Sequence, residues 1–442
     1  MGVTDEIDDS EPQAEEREPT LSALRALAPL GSRLGEIATG LVKQGALGML
    51  LIDATPLLAI EKLHGPRAFR SSIEALAEGV RARVESAIGE EMLLASGALE
   101  EEHLLVFMPR LRDDAEFFLH DLPRVSAELR AWASQGLKRV VYPYLNRVPE
   151  LAVGAGFVLH RPFQRPEAQL RHLIDRTLED ARFEHERSRR ERNGMLEKIL
   201  LEQTVTTVFE PIVALATNAV LGYEALSRGP AGTGLETPMA LFGTAELFDR
   251  EYELDSLCRR RALSNARGIA ADQLLFLNIL PTCIQDPDFQ AAHVCETLAE
   301  LGLGPRNLVL EISERQAISN FPIFREAIDH FSGLGFRIAL DDTGSGFSSL
   351  EAALELQPDF LKIDMSLVRS IEDSPEKQEV LRGLQSLSAK MGSQVIAEGI
   401  ETAQELSVIR TLGIEFGQGF YLGRGGSTPS GASRALAPGR PR

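Results

Sequence analysis

Cysteine and positive charge are both scarce in this sequence. Its three cysteines, Cys258, Cys283 and Cys295, show no CxxC spacing, so neither a disulfide framework nor a zinc site is expected. Lysine and arginine together number 46 against 65 acidic residues, which gives a formal net charge of -19. Because nucleic acids are bound mainly through clustered Lys and Arg, this balance argues against a nucleic-acid polymer as the partner. A small anionic ligand stays possible if metal cations accompany it.

Long apolar runs are missing as well. The longest ones, such as GALGMLLI, are far shorter than the roughly 20 residues that a membrane-spanning helix needs. The amino terminus has no basic region followed by an apolar stretch, which a secretory signal would require. We therefore expect no membrane insertion and a cytoplasmic, reducing location.

Length and composition indicate a folded chain of more than one domain. Of the 442 residues, 44% are hydrophobic and 25% are charged, which is typical of globular proteins, and the chain is too long for one ordinary core. Changes in composition along the chain predict five segments. They are a disordered acidic tail over residues 1–32, an amino-terminal domain over 33–190, a helical linker over 191–204, a carboxy-terminal domain over 205–424 and a disordered tail over 425–442.

The carboxy-terminal domain alternates short apolar runs with longer helical patterns. Eight runs rich in Val, Ile, Leu and Phe have the character of buried strands. They are TTVFEPIV, VLGYEALSR, LLFLNIL, LVLEIS, FRIALDDT, FLKID, QVIAEGI and FGQGFYLGR. Buried strands separated by helices imply a mostly parallel sheet, and eight of them predict a TIM-like (β/α)8 barrel within an α/β fold.

Polar side chains occur at or near the ends of almost all the predicted strands. They are Glu224, Asn278, Glu311, Asp341, Asp342, Lys362, Asp364, Glu398 and Gln418. In a barrel of this kind the carboxyl ends of the strands meet at one mouth, where catalytic groups lie. So many carboxylates in one place would repel one another unless cations lie among them, and oxygen ligands of this type suit Mg2+ or Mn2+ rather than zinc.

Each of these residues taken alone also has an ordinary structural interpretation. An Asp or Glu that ends a strand is about as often only the cap of the next helix. Asp342 could be such a turn residue, and Lys362 could extend from the edge of the core to reach solvent. The structural interpretation does not explain why the whole set gathers at one mouth.

Seven sequence blocks resemble the EAL-domain phosphodiesterase family. YEALSR, LNILP, LEISER, DDTGSGFSSL, LKID, AEGIET and GQGFYLGR occur in the family's order over roughly residues 205–424. The resemblance implies an enzyme that hydrolyses cyclic di-GMP to linear pGpG with two divalent cations, Mg2+ or Mn2+. In two places the chain departs from the family, with Thr343 where Phe is common and Phe420 where Tyr is frequent.

The resemblance also implies roles for individual residues. It implies metal ligands at Glu224, Asn278, Glu311, Asp341 and Asp342. It implies catalytic roles for Glu224, for Lys362, which holds the attacking water, and for Glu398, as an assisting carboxylate and candidate base. Arg228, Asp364 and Gln418 match substrate-binding positions, while Glu314 and Glu401 match residues that support loops.

The amino-terminal domain resembles a GGDEF domain that has lost its chemistry. LGMLLIDATPLLAIEKLHG, EEEHLLVFMP and LAVGAGFV match its first strand and helix, its signature hairpin and its end. In that alignment Glu100 and Glu101 replace two glycines, His103 replaces a catalytic glutamate, and Asp53 is retained. We therefore expect no diguanylate cyclase activity and a regulatory or dimerising role, with a homodimer as the assembly that the resemblance implies.

Other functions stay open at this stage. The chain could be a non-catalytic effector that binds cyclic di-GMP, although such proteins usually lack a metal ligand. The barrel could also act on another phosphodiester or on a sugar acid, but a glycosidase needs only two carboxylates and has no use for Asn278 or Lys362. A purely structural role does not explain the charge gathered at one rim.

Overall fold

A computed structural model describes most of the chain in two compact units, which divide between Glu191 and Arg192. The described residues are 27–89, 92–96, 102–135, 137–145, 148–280, 286, 289–313, 321–343 and 348–434. Of the described helices, none combines the length and the apolar character needed to cross a membrane.

The amino-terminal unit is a five-stranded sheet covered by helices. Its strands are β1 (Ala28–Pro29), β2 (Gly45–Asp53), β3 (Leu93–Ser96), β4 (His103–Leu111) and β5 (Ala152–Leu159). They lie in the order β1-β3-β4-β2-β5, with β2 antiparallel to both β4 and β5. The helices are α1 (Leu30–Gln44), α2 (Leu58–His64), α3 (Pro66–Ile88), α4 (Leu122–Gln135), α5 (Lys138–Val141) and α6 (Pro166–Glu202).

The central strand β2 shows why this sheet is covered on both faces. Successive side chains of a strand point to opposite faces. Leu47 and Met49 therefore pack in one apolar cluster, with residues of α1 and α6, while Leu50 and Ile52 pack in another, with residues of α3 and α4. A continuous apolar run is thus the expected sequence of this strand.

The long helix α6 packs closely on β5 and continues to Glu202. Its approach depends on Gly154, where an added Cβ would lie 2.4 Å from the carbonyl oxygen of Thr177. Because this helix ends only at Glu202, most of the predicted linker over 191–204 is its last part.

The carboxy-terminal unit is a closed eight-stranded barrel, as the sequence predicts. Its strands are β6 (Thr206–Ala214), β7 (Val220–Arg228), β8 (Leu274–Asn278), β9 (Leu308–Ser313), β10 (Arg337–Thr343), β11 (Phe360–Ile363), β12 (Gln394–Ala397) and β13 (Phe416–Gly417). Its helices are α7 (Pro238–Leu247), α8 (Glu251–Asn265), α9 (Ala291–Glu300), α10 (Phe321–Gly333), α11 (Ser348–Leu356), α12 (Met365–Val368), α13 (Pro375–Met391) and α14 (Ala403–Thr411).

One barrel strand runs against the others. β6 is antiparallel to both of its neighbours, β13 and β7, while the remaining pairs are parallel. The five residues between β6 and β7 are too few for a crossover helix, so the two strands form a hairpin. Asn218 adopts a left-handed conformation, with φ 58°, in that turn.

The folded barrel unit extends beyond its predicted end. Gly426 exchanges two backbone hydrogen bonds with Phe209 of β6, at 2.7 and 3.1 Å, and β14 (Gly423–Arg424) pairs with β15 (Ser433–Arg434). The prediction of a disordered tail from residue 425 is therefore wrong for 425–434, because this small segment satisfies its backbone groups on the barrel. At the other terminus, α1 already begins at Leu30, inside the segment predicted as a tail.

Candidate active site

The barrel interior is built in layers, and one layer is polar. Below it lies an apolar layer formed by Ile212, Leu274, Phe276, Val309, Ala339, Phe360 and Ile396. Because side chains of a strand alternate between its two faces, the residue two positions further along each strand also points inward. On five strands this step leads from a residue of the apolar layer to a polar residue, and on β13 it leads from Phe416, which packs against the same layer, to a sixth. The six are Asn278, Glu311, Asp341, Lys362, Glu398 and Gln418.

At the centre of the polar layer is the ammonium group of Lys362. The side chain is fully buried on β11, and its Nζ lies 2.7 Å from Glu398 Oε1 and 2.9 Å from Glu311 Oε1. It also lies 3.2 Å from Asp341 Oδ1 and 3.3 Å from Glu224 Oε1. One lysine therefore contacts four carboxylates. Three of them lie on the strands β7, β9 and β10, and the fourth, Glu398, directly follows β12.

Two amide side chains bind the same carboxylates. Asn278 donates through Nδ2 to Glu311 Oε2 at 3.0 Å and to Glu224 Oε1 at 3.4 Å. Gln418 donates through Nε2 to Glu224 Oε2 at 2.7 Å. Both oxygens of Glu224 are thus engaged, and this side chain is only 5% exposed.

The charges of this cluster shift one another's proton affinities. Burial by itself lowers the pKa of Lys362, but the surrounding carboxylates, Asp341 and Glu224 foremost, raise it well above its usual value. Burial raises the pKa of Glu224, yet Lys362 and the hydrogen bond from Gln418 outweigh this effect and the net pKa is lowered. Glu224 and Lys362 are therefore an ion pair.

Two other carboxylates of the cluster, Glu311 and Glu398, hold their protons more tightly. Burial raises the pKa of Glu311 well above its ordinary value, and the neighbouring charge of Glu224 adds to the effect. Burial also raises the pKa of Glu398, to about 8, although Lys362 acts in the opposite direction. One ammonium group does not neutralise this many acids, so the cluster retains protons or needs a further cation.

A bulge at the end of β10 sets the directions of the paired aspartates. The register with β11 shifts between Leu340 and Thr343, and Asp342 adopts a left-handed conformation with φ 60°. Thr343, the departure from the family's common Phe, is fully buried, and its hydroxyl donates to the carbonyl of Leu340 at 3.2 Å. Asp341 contacts Lys362, and the roles of Asp341 and Asp342 as metal ligands stay predictions.

Other predicted site residues lie around the cluster. Arg228 is half-buried at the end of β7 and donates to the carbonyl of Ser227 at 2.9 Å. Asp364 caps α12 by accepting a hydrogen bond from the backbone of Ser366 at 2.9 Å, which is the ordinary structural role of a strand-end aspartate. Their substrate-binding roles stay predictions.

The two residues predicted to support loops differ in what the structure shows. Glu401 lies outside the cluster, where its carboxylate pairs with Arg369. Glu314 lies outside the described residues.

The donors of the polar layer suit a hard divalent cation. Glu311 Oε1 and Asp341 Oδ1 are buried oxygens that contact the ammonium group of Lys362, at 2.9 and 3.2 Å, and carboxylate oxygens are preferred by Mg2+ and Mn2+. In the same described part of the chain, however, no three carboxylates are arranged around a common point for a metal, because they converge on Lys362. The chemistry of the donors fits, while their present arrangement is organised by the ammonium group.

Sequence reasoning missed one member of the polar layer. Glu210 of β6 lies opposite Glu224 in the register of β6 and β7 and is half-buried. The alternation of side chains along β6 could have indicated this residue, because Glu210 is two residues from the inward Ile212 and so points to the same face. It lies on the amino-terminal side of Ile212 because β6 runs in the opposite direction, so a search of strand ends alone does not find it.

The amino-terminal unit has its own buried acid at the end of β2. Asp53 is 8% exposed, and its Oδ1 accepts hydrogen bonds from both the backbone, at 3.1 Å, and the hydroxyl of Thr55. His103 Nε2 lies 3.7 Å from Oδ1, and Arg182 Nε lies 3.8 Å from Oδ2. Glu100 and Glu101 are outside the described residues.

Comparison with known proteins identifies the family of the barrel unit. The family described as "EAL domain" matches residues 193–425, more than half of the sequence. The chain belongs to the EAL domain family. The match begins near the division between the two units and ends within the β14 and β15 segment.

Several known proteins are similar to this chain in sequence or structure. An uncharacterized protein of Azorhizobium caulinodans is 31% identical over 52% of this chain and 33% of its own length. The cyclic di-GMP phosphodiesterase NbdA of Pseudomonas aeruginosa is 30% identical over 62% of this chain and 35% of its own length. The solved EAL domain of Xanthomonas citri FimX, in complex with c-diGMP, is 23% identical over 55% of this chain and 96% of that domain, with a TM-score of 0.49. The chain spans only about a third of the length of the curated relatives it matches.

Proposed function

We propose that the barrel unit hydrolyses cyclic di-GMP to linear pGpG. The observation that carries this proposal is the contact of one buried lysine, Lys362, with four carboxylates in the polar layer of the barrel. Membership of the EAL domain family supports it, as does similarity to a relative named as a cyclic di-GMP phosphodiesterase.

Two divalent cations, Mg2+ or Mn2+, are part of the proposal. Glu224, Asn278, Glu311, Asp341 and Asp342 would hold them. Such ions neutralise a phosphodiester, lower the pKa of a bound water and stabilise the charge on the departing oxygen. The half-buried and buried carboxylates supply the negative charge that binding of these ions requires.

The chain's own residues then perform the remaining steps. A water oxygen forms a bond to phosphorus, the bond from phosphorus to the 3′ oxygen breaks, and a proton passes to that oxygen. Lys362 holds the attacking water beside Glu398, whose Oε1 lies 2.7 Å from the Nζ of Lys362. Glu398 receives the water's proton. Arg228 binds substrate phosphate, and Asp364 and Gln418 bind the substrate at the mouth.

The amino-terminal unit is proposed to be a degenerate GGDEF-like regulatory domain without cyclase activity. The engagement of Asp53 with Thr55 and Arg182 supports this interpretation, because the carboxylate is already satisfied by the protein. A homodimer in the cytoplasm stays a prediction from the sequence. Light scattering of the full chain would test the dimer.

The decisive experiment is a hydrolysis assay on the full chain. The protein is incubated with cyclic di-GMP and Mn2+, and chromatography follows the formation of pGpG. Glu224→Ala is the inactive variant, and Glu415→Ala is the matched control, since Glu415 is an exposed glutamate of the same barrel unit. We expect product from the wild type and from the control only.

Two results would contradict the proposal. Binding of cyclic di-GMP without product would indicate the non-catalytic effector instead. Full activity of Glu224→Ala would remove the assignment of the site, because Glu224 contacts both Lys362 and Gln418.

A further inference from the structure

Gln418 is buried between two carboxylates of neighbouring strands. Its side chain is 5% exposed, and its Nε2 lies 2.7 Å from Glu224 Oε2. Burial raises the pKa of Glu210, the missed member of the polar layer, and the same amide acts against that rise as a hydrogen-bonding neighbour. Its Oε1 is a buried atom with no hydrogen-bond partner in the described part of the chain. The amide therefore has one N–H group on Glu224 and a second N–H group available for Glu210, while its oxygen accepts no hydrogen bond from the described residues.

The register of the hairpin explains why such a link is needed. Glu210 and Glu224 lie directly opposite each other on β6 and β7. Opposed residues of antiparallel strands point to the same face, with Cβ atoms about 4.5–5.5 Å apart, and like charges in that position destabilise the pair. A primary amide can donate one N–H hydrogen bond to each of two carboxylates, so Gln418 can join the two acids.

The link also decides the orientation of the amide. If the side chain of Gln418 were reversed, its oxygen would face Glu224 and repel it. With Glu210 present, the nitrogen has two acceptors in reach, and the orientation that supports Glu224 is favoured. Without Glu210, one N–H group loses its acceptor inside a buried layer, which makes other rotamers of Gln418 competitive.

We propose that Glu210 is a positioning residue of this site, which acts through Gln418 to fix the direction of Glu224. This inference rests on the proposed function only where hydrolysis is the readout. The residue is not a catalytic one, since it acts on the reacting groups through another side chain. Its position completes the layer: each of the eight barrel strands, β6 included, then contributes one polar side chain.

The test uses the full chain and three variants. Glu210→Ala removes the acceptor, whereas Glu210→Gln keeps one, because the new amide oxygen can accept from Gln418. Glu415→Ala is the matched control, since Glu415 also accepts from a glutamine, Gln394, at 3.3 Å, but lies outside the cluster. Binding of Mn2+ is measured by calorimetry, hydrolysis of cyclic di-GMP by kcat and KM, and folding by thermal unfolding.

Partners that orient metal-binding side chains typically change affinity or activity by about 10–100-fold when they are removed. We expect Glu210→Ala to weaken Mn2+ binding and to lower kcat by roughly tenfold or more, with little change in KM. Glu210→Gln should recover most of both losses, and Glu415→Ala should behave as the wild type.

Several results would overturn the inference. One is an unchanged Mn2+ affinity in Glu210→Ala, and another is a loss of folding in Glu210→Ala that Glu210→Gln does not restore. Absence of Mn2+ binding by the wild type would overturn it too. A wild type that binds Mn2+ but leaves cyclic di-GMP intact would end the proposed function alone, and the Mn2+ affinities would still decide the role of Glu210.

Discussion

The two units differ in how the negative charge of their buried acids is compensated. In the amino-terminal unit, Asp53 is satisfied by Thr55 and Arg182, with His103 close by. In the barrel unit, four carboxylates share the single ammonium group of Lys362, and burial keeps the pKa of Glu398 at about 8. The first acid needs nothing from outside the protein, whereas the second group carries more negative charge than the chain neutralises. This difference supports the proposal that a cation and an anionic substrate bind in the barrel unit.

The largest expected effect comes from removing the ammonium group at the centre of the barrel cluster. Lys362→Met should abolish hydrolysis and lower the free energy of unfolding by about 3–5 kcal/mol, because buried carboxylates lose their counter-charge. Denaturant unfolding and the pGpG assay measure the two effects, with Lys390→Met, an exposed lysine, as the control. Addition of Mn2+ should restore part of the stability. Wild-type stability in Lys362→Met would mean that the cluster is not strained by its own charge.

The raised proton affinities of the barrel acids predict a pH-dependent cation affinity. Burial holds the pKa of Glu398 near 8 and that of Glu311 above its ordinary value, so both keep protons below those pKa values in the cation-free protein. A divalent cation needs the deprotonated oxygen of Glu311, and its positive charge also favours the deprotonated form of the neighbouring Glu398, so its binding releases protons. Affinity for Mn2+ should rise as the pH increases toward 8, by roughly tenfold per pH unit for each proton released. Calorimetry at several pH values checks this, and a flat profile would contradict it.

Substitution at the satisfied acid should have a much smaller effect. Asp53→Asn keeps an oxygen that can accept from Thr55 and loses the charge that faces Arg182 and His103. We expect a change in unfolding free energy of about 1 kcal/mol or less and hydrolysis within about twofold of wild type. The full chain should also form no product from GTP. A loss of hydrolysis comparable to that of Glu224→Ala would mean that the comparison between the units is wrong.

The smallest effect is expected at the exposed ion pair between Arg369 and Glu401. Arg369→Ala should shift the midpoint of thermal unfolding by less than about 2 °C, since surface ion pairs contribute little. Hydrolysis should stay close to the wild-type rate. A decrease of tenfold or more would instead support the loop-supporting role predicted for Glu401.

Much of the barrel site could be predicted from the chain alone. The apolar runs predict the strands. The polar residues at or near their ends, such as Glu311 and Lys362, converge because parallel strands end at one mouth of the barrel. Glu210 was missed because β6 runs in the opposite direction, which puts its polar residue before the inward apolar residue instead of after it. The tail was misjudged because composition does not show that Gly426 pairs with Phe209.

The sequence by itself determined which strands exist, which faces they bury and which side chains they carry at their ends, since these follow from local periodicity and residue chemistry. Only the tertiary structure decided how these side chains pair. Lys362 meets Glu224 and Glu398, which lie far from one another along the chain, because barrel closure brings their strands together. Proton affinity depends on such neighbours and on burial, so the charge state of the site is a property of the fold.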